Sequence, residues 1–145
     1  MNADDYRLAA SARIETARML YDLRRYGASI YLVGVAVECI LRAYRLRLDP
    51  QFDAAHDLAA LLKQSGLVSF VPAKRRVELS ASLGEVWSRW RNGYRYAPDA
   101  RVRADLHDRD LLFGIKGDSL KENARVTLEN GYNIVNLGVA RWKNT

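Results

Sequence analysis

The sequence predicts an all-α fold, an antiparallel bundle of four to five helices, and three observations carry that expectation. The stretch 29–44, SIYLVGVAVECILRAY, is apolar almost all round for its first nine residues, as a helix is when neighbours touch it on several sides. Tyr6, Ala10, Ile14, Ala17 and Tyr21 recur at the i, i+4, i+7 spacing of one helical face. No stretch alternates apolar and polar residues with period two for long enough to argue a strand.

The first helix is expected from about Asp4 to Tyr26. Asp4 and Asp5 suit the positive end of its dipole, Arg24 and Arg25 the negative end, and Gly27 is its expected C-cap. The second runs from about Ala28 to Leu48 and stops at Asp49-Pro50, because the residue before a proline leaves the helical region. So short a link lays the two helices side by side and antiparallel. Asp53 or Asp57 caps a third, shorter helix through Leu58, Leu61 and Leu62, which Gly66 ends. Pro72 opens a fourth, with Leu79, Leu83, Val86, Trp87 and Trp90 on one face; both tryptophans read as core.

Periodicity then fails. Residues 92–105 hold a glycine, a proline and several arginines and read as loop, followed by a short helical piece, Leu106–Phe113. Ser119 and Glu122 have the spacing of a capping box for the last helix, carried by Leu120, Ala124, Leu128, Gly131, Ile134, Val135 and Gly138. The whole, residues 1–145, reads as a single domain with a core from about 6 to 136 and a loop insertion at about 92–117.

The net charge of +6 comes from 23 basic against 17 acidic residues, and 18 of the 23 are arginine. Arginine grips phosphate with a planar fork, so the bias leans toward nucleotides or nucleic acid; a GC-rich genome produces the same bias without function. One cysteine, Cys39, excludes an internal disulfide and a cysteine-based zinc site. Two histidines far apart, without paired ligand spacing, argue against a metal, and no cofactor is implied. Gly114-Ile-Lys-Gly117 lacks the spacing and the preceding strand of a phosphate loop. The apolar run of the second helix is shorter than the ~18–20 residues a bilayer needs, so no membrane contact is expected. The N-terminus has no basic start followed by an apolar run, which makes the cytoplasm the expected setting.

Two features point to chemistry. Glu38 lies in the apolar second helix, where a carboxylate costs several kcal/mol unless a cation meets it. Arg91 or Arg95, arriving from beyond the fourth helix, is the expected cation; Arg42 one turn on, or Arg45, is the local alternative. Between Trp87 and Arg103, five arginines (Arg89, Arg91, Arg95, Arg101, Arg103) interleave with four rings (Trp87, Trp90, Tyr94, Tyr96). That pattern suits phosphates and stacked bases, with Arg91, Arg95, Tyr94, Tyr96, Arg101 and Arg103 as candidate ligand-binding residues.

The chain resembles a HEPN domain over about Tyr6 to Asn136. Ala12-Arg13, Ala17 and Leu20-Tyr21 match the family's opening helix, and Tyr31-Leu-Val-Gly-Val-Ala-Val-Glu38-Cys-Ile-Leu-Arg42-Ala its second. His56-Asp57-Leu58 opens a short helix, and Arg95-Tyr96 follows the fourth. The resemblance implies a helical bundle, often a homodimer, in toxin–antitoxin or defence systems, with a small nucleotidyltransferase-like protein as a possible antitoxin partner. Many such proteins are metal-independent ribonucleases using Arg, a polar residue, a short spacer and His, in which arginine steadies phosphate charge and histidine moves protons.

Here the motif is degenerate: Arg91-Asn92 opens it, but Tyr96 stands where histidine is expected. A phenol, ionising near ~10, moves protons poorly at neutral pH. The catalytic candidates are therefore Arg91 and Asn92 with Tyr96 or His56, and separately Arg101 with His107, which fits a six-step spacing later in the chain. The function expected first is a non-catalytic module binding RNA, a nucleotide or a partner protein; the alternative is a ribonuclease toxin. A third reading is a purely structural helical partner protein that dimerises through an exposed face of the last helix (Ile134, Leu137, Trp142), and it predicts that Arg42 or Arg45, rather than the later arginines, meets Glu38.

Overall fold

The computed structural model describes residues 1–51, Leu67 and 71–144. The expected third helix, with its candidate caps Asp53 and Asp57 and with His56, lies outside the described residues. Within them the chain is an all-helical bundle: α1 (Ala3–Asp22), α2 (Tyr26–Leu48), α3 (Ala73–Arg89), a 3-10 turn (Asn92–Tyr96), α4 (Asp99–Asp108) and α5 (Ser119–Arg141), with a last 3-10 turn at Trp142–Asn144.

α1 starts where Asn2 and Asp5 form a reciprocal capping box, each side chain bonding the other's backbone N–H at 2.8 Å. It ends earlier than expected, and Gly27 does not cap it. Arg24 takes the left-handed backbone (φ 62°), Arg25 N–H bonds Leu20 O at 2.8 Å and Arg24 N–H bonds Tyr21 O at 2.9 Å, a Schellman closure with arginine at the usual glycine position. Gly27 belongs instead to the first turn of α2, where an added Cβ would stand 2.5 Å from an Asp99 oxygen. That oxygen accepts the Gly27 N–H at 3.2 Å, so a side chain from α4 satisfies an otherwise unpaired amide at the start of α2.

α2 is the axis of the fold and touches α1, α3, α4, α5 and the 3-10 turn. Ile30, Val33, Ala36, Ile40, Leu41 and Tyr44 are fully buried along it. At 23 residues it is long and apolar enough to cross a membrane by length and composition, more than its short apolar run suggested, but two-thirds of that stretch is buried against the other helices. α1 and α5 pack along it on two sides, and α3 lies mainly against α5. Tyr44 ties α2 to α5 through a 2.6 Å bond from its hydroxyl to Gly138 O.

Two expected boundaries move. Residues 92–105 are not loop: the segment folds as the 3-10 turn and α4, so α4 begins at Asp99 rather than Leu106 and is over by Asp108. Pro98 sets the chain direction, Asp99 opens the helix, and Val102 and Leu106, one turn apart, supply its buried face. At α5 the cap is Asp118, whose side chain accepts from Leu120 N and Lys121 N at 3.1 Å each; Ser119 is already helical.

Candidate functional site

The end of α3 makes the site. Arg89 is its last helical residue, and Trp90 and Arg91 continue with extended backbone. Leaving the helix turns the Trp90 ring inward onto Gly34 of α2, where a Cβ would meet the indole at 1.9 Å; only glycine admits this approach. The indole N–H then bonds Tyr31 O at 3.0 Å. Trp87 was expected in the core beside Trp90, but it is still helical and points away, 48% exposed.

Between these rings opens a hollow of about 760 Å³, lined by Trp87, Ser88, Trp90, Arg91, Asn92, Gly93, Arg109 and Leu111. Asn123 fixes its far side. Buried in α5, Asn123 accepts from Arg89 Nε at 2.9 Å and donates to Leu111 O at 3.1 Å, tying the end of α3 to the loop after α4. Arg109 closes the back. It donates to Ser88 O and Arg89 O, carbonyls that the end of α3 leaves without helical partners, and to the Tyr94 hydroxyl.

Asp105 of α4 gathers three partners on a single oxygen, Oδ2: hydrogen bonds from the Tyr94 hydroxyl at 2.6 Å and Arg109 Nη2 at 3.2 Å, and an ion pair with Arg91, whose Nε stands 3.0 Å away. The Tyr94 hydrogen bond and the two guanidinium charges hold the Asp105 carboxyl below the usual carboxylate range, against the opposing effect of burial. Burial first, and the bond to Asp105 second, push the Tyr94 phenol up to about 12.

The sequence candidates separate accordingly. Arg91 and Asn92 share the rim of the hollow, exposed. Tyr94 is inside, packed with Tyr26, Ile30, Val102 and Leu106, so its ring faces core rather than solvent. Arg95 and Tyr96 are exposed and lie against each other, the guanidinium 5.3 Å from the ring centre. Arg101 is exposed on α4, and Arg103 stands 3.8 Å from Asp118. Arg101 and His107 do not share a face, because six helical steps turn the chain by ~600°, or ~240° net. His107 instead joins Arg103, Ala100, Ala104 and Leu112 along a shallow groove on the other side of α4.

Neither Arg91 nor Arg95 meets Glu38. Arg42, one turn along the same helix, does so with Nε and Nη2 each 3.1 Å from Oε1, both side chains nearly buried. Arg42 is the pairing the purely structural reading predicts, but the exposed face that reading needs on the last helix is absent, since Ile134, Leu137 and Trp142 are buried in the core. Asp105 and Arg109 were missed: the signal was their i, i+4 spacing, which has meaning only once α4 is recognised as a helix. Among the described residues no group of three or more side chains could hold a metal ion. No protein-family model, no curated protein and no solved structure matches this chain.

Proposed function

We propose that the chain is a HEPN-like helical module that binds a phosphate-bearing nucleotide unit, as RNA or as a free nucleotide, at the hollow beyond α3. The observation that carries this reading is the half-exposed Trp87 indole on the same open hollow as exposed Arg91. A ring stacks on any base and a guanidinium grips the phosphate attached to it. Arg109, with Nε, Nη2 and one Nη1 donor turned to protein oxygens, serves as wall. Arg95 and Arg101, exposed on the same stretch of chain, extend the positive charge along a bound strand, and exposed Tyr96 adds a ring on which a base can stack.

Binding without cleavage is the reading preferred over a ribonuclease. No histidine lines the hollow among the described residues, and the one phenol bonded to it, Tyr94, holds its proton against Asp105. The toxin–antitoxin setting, the homodimer and a nucleotidyltransferase-like partner belong to the same proposal through the HEPN resemblance.

The test is fluorescence anisotropy of a labelled oligoribonucleotide, with AMP and ATP as competitors to separate the two sources of phosphate. Arg91→Ala should weaken binding and lower the slope of log affinity against log salt by about 1. Trp87→Ala should cost about 1–3 kcal/mol through lost stacking. Binding that ignores both substitutions overturns the proposal, and strand cleavage that Arg91→Ala abolishes would favour the ribonuclease.

A further inference from the structure

We infer that Asp105 is the positioning residue of this site, fixing where the Arg91 guanidinium stands. The inference rests on the phosphate-binding reading above and goes on to say what organises the arginine.

Arg91 needs such a partner. It leaves the chain from extended backbone beyond the end of α3 and its side chain is 55% exposed, so nothing in its own element holds its long stem. Asp105 is the opposite case. It sits on α4 over the buried pair Val102 and Leu106, its side chain only 23% exposed. The Tyr94 hydroxyl and Arg109 hold the same oxygen that Arg91 reaches, and Arg109 is itself tied to the carbonyls of Ser88 and Arg89. The carboxylate is thus braced from α4, from the 3-10 turn and from the end of α3, and it passes that rigidity to Arg91 through Nε. Because the ion pair closes at Nε, the four terminal N–H groups of the guanidinium face away from Asp105 for a ligand, in the flat geometry that matches a phosphate.

The charge around the hollow gives the inference a sign that separates it from plain electrostatics. Arg91 and Arg109 against Asp105 leave one net positive charge facing the ligand. If Asp105 only opposed an anion, removing its charge would tighten binding. If it positions Arg91, removing it loosens binding even though the protein becomes more positive.

The experiment uses the full chain, the labelled oligoribonucleotide, and Asp105→Asn, which keeps the shape of the side chain, in wild-type and Arg91→Ala backgrounds. The expected result is about tenfold weaker binding by Asp105→Asn alone and no further weakening in the Arg91→Ala background, because contacting side chains couple. Asp105→Asn that binds as tightly as wild type, or tighter, overturns the inference and leaves the binding proposal standing. Equal weakening in both backgrounds also overturns it, since damage to the fold would not depend on Arg91. Wild-type binding that never depended on Arg91 overturns the inference and the binding proposal together.

Discussion

The buried residues fall into two clusters that are built differently. On one side, α1, α2, α3 and α5 share a core of fully buried Val33, Ile40, Leu41, Tyr44, Leu79 and Ile134, held by close contact at small residues. On the other, α4 and the 3-10 turn rest on a smaller cluster of Tyr26, Ile30, Tyr94, Val102, Leu106, Leu120 and Ala124. There the polar bracing of Arg109, Asp105, Tyr94 and Asn123 supplements the burial. Burial is proportional to area and indifferent to direction, whereas hydrogen bonds to charged groups demand geometry and respond to pH and salt. The candidate site lies where the two halves meet: the end of α3 supplies Trp87, Trp90 and Arg91, and the second half supplies Asp105 and Arg109.

The largest test of that contrast is Ile40→Ala. Ile40 is fully buried in α2 against α5, where a Cβ on Gly138 would touch it at 2.4 Å. The substitution should cost about 2–5 kcal/mol, read as a fall in the urea midpoint by circular dichroism. Val102→Ala, in the smaller cluster, should cost less and leave the helical signal of the main bundle in place. Equal losses at the two positions would merge the halves into one cooperative core.

Gly34→Ala probes the joint between them. The added methyl would overlap the Trp90 indole, which cannot move without leaving Tyr31 O. A destabilisation of about 1–3 kcal/mol is expected, with a shift in tryptophan emission as the ring is displaced. Because Arg91 follows Trp90 directly, oligoribonucleotide affinity should fall as well. Loss of stability with unchanged affinity would mean that the hollow does not depend on the Trp90 seat.

Legibility in the sequence divides along the same line. α1, α2 and α5 were plain because their apolar faces repeat over five or six turns, and repeated burial outweighs local detail. α4 was not, because ten residues with only Val102 and Leu106 buried give a period too few repeats to register. Trp87 and Trp90 were grouped by helical spacing, and the spacing lost its meaning when the helix stopped at Arg89, sending one ring out and the other in. Glu38 invited a distant partner, yet Arg42 was already one turn away, and a neighbour on the same helix meets it without closing a long loop. Arg91 and Asn92, which the structure puts on the rim, were singled out from composition and motif. Their support, Asp105 and Arg109, was hidden with the helix that carries it.

The hydroxyl of Tyr94 is the most informative about the bracing. Tyr94→Phe keeps the ring in the core and removes only the group that bonds the Asp105 carboxylate, so at neutral pH it should cost about 1.5–3 kcal/mol. The cost should vary with pH at both ends of the range. The Tyr94 phenol is raised to about 12 in the folded protein, above its unfolded value of ~10. Its contribution is therefore complete below pH ~10 and lost as pH rises through the folded value. Asp105 is shifted the other way, its carboxyl lowered first by the same hydroxyl, so its contribution is present above the unfolded value of ~3.9 and lost as pH falls through the folded one. The stability gap between wild type and Tyr94→Phe should accordingly be flat in the neutral range and shrink toward acid and toward strong alkali, as read from urea midpoints across a pH series. Tyr44→Phe, whose hydroxyl bonds a backbone carbonyl in the main core and is also raised to about 12, should lose its gap only on the alkaline side. An acid limb that appears for neither variant, or equally for both, would remove the distinction between a half braced by charge and a half held by burial.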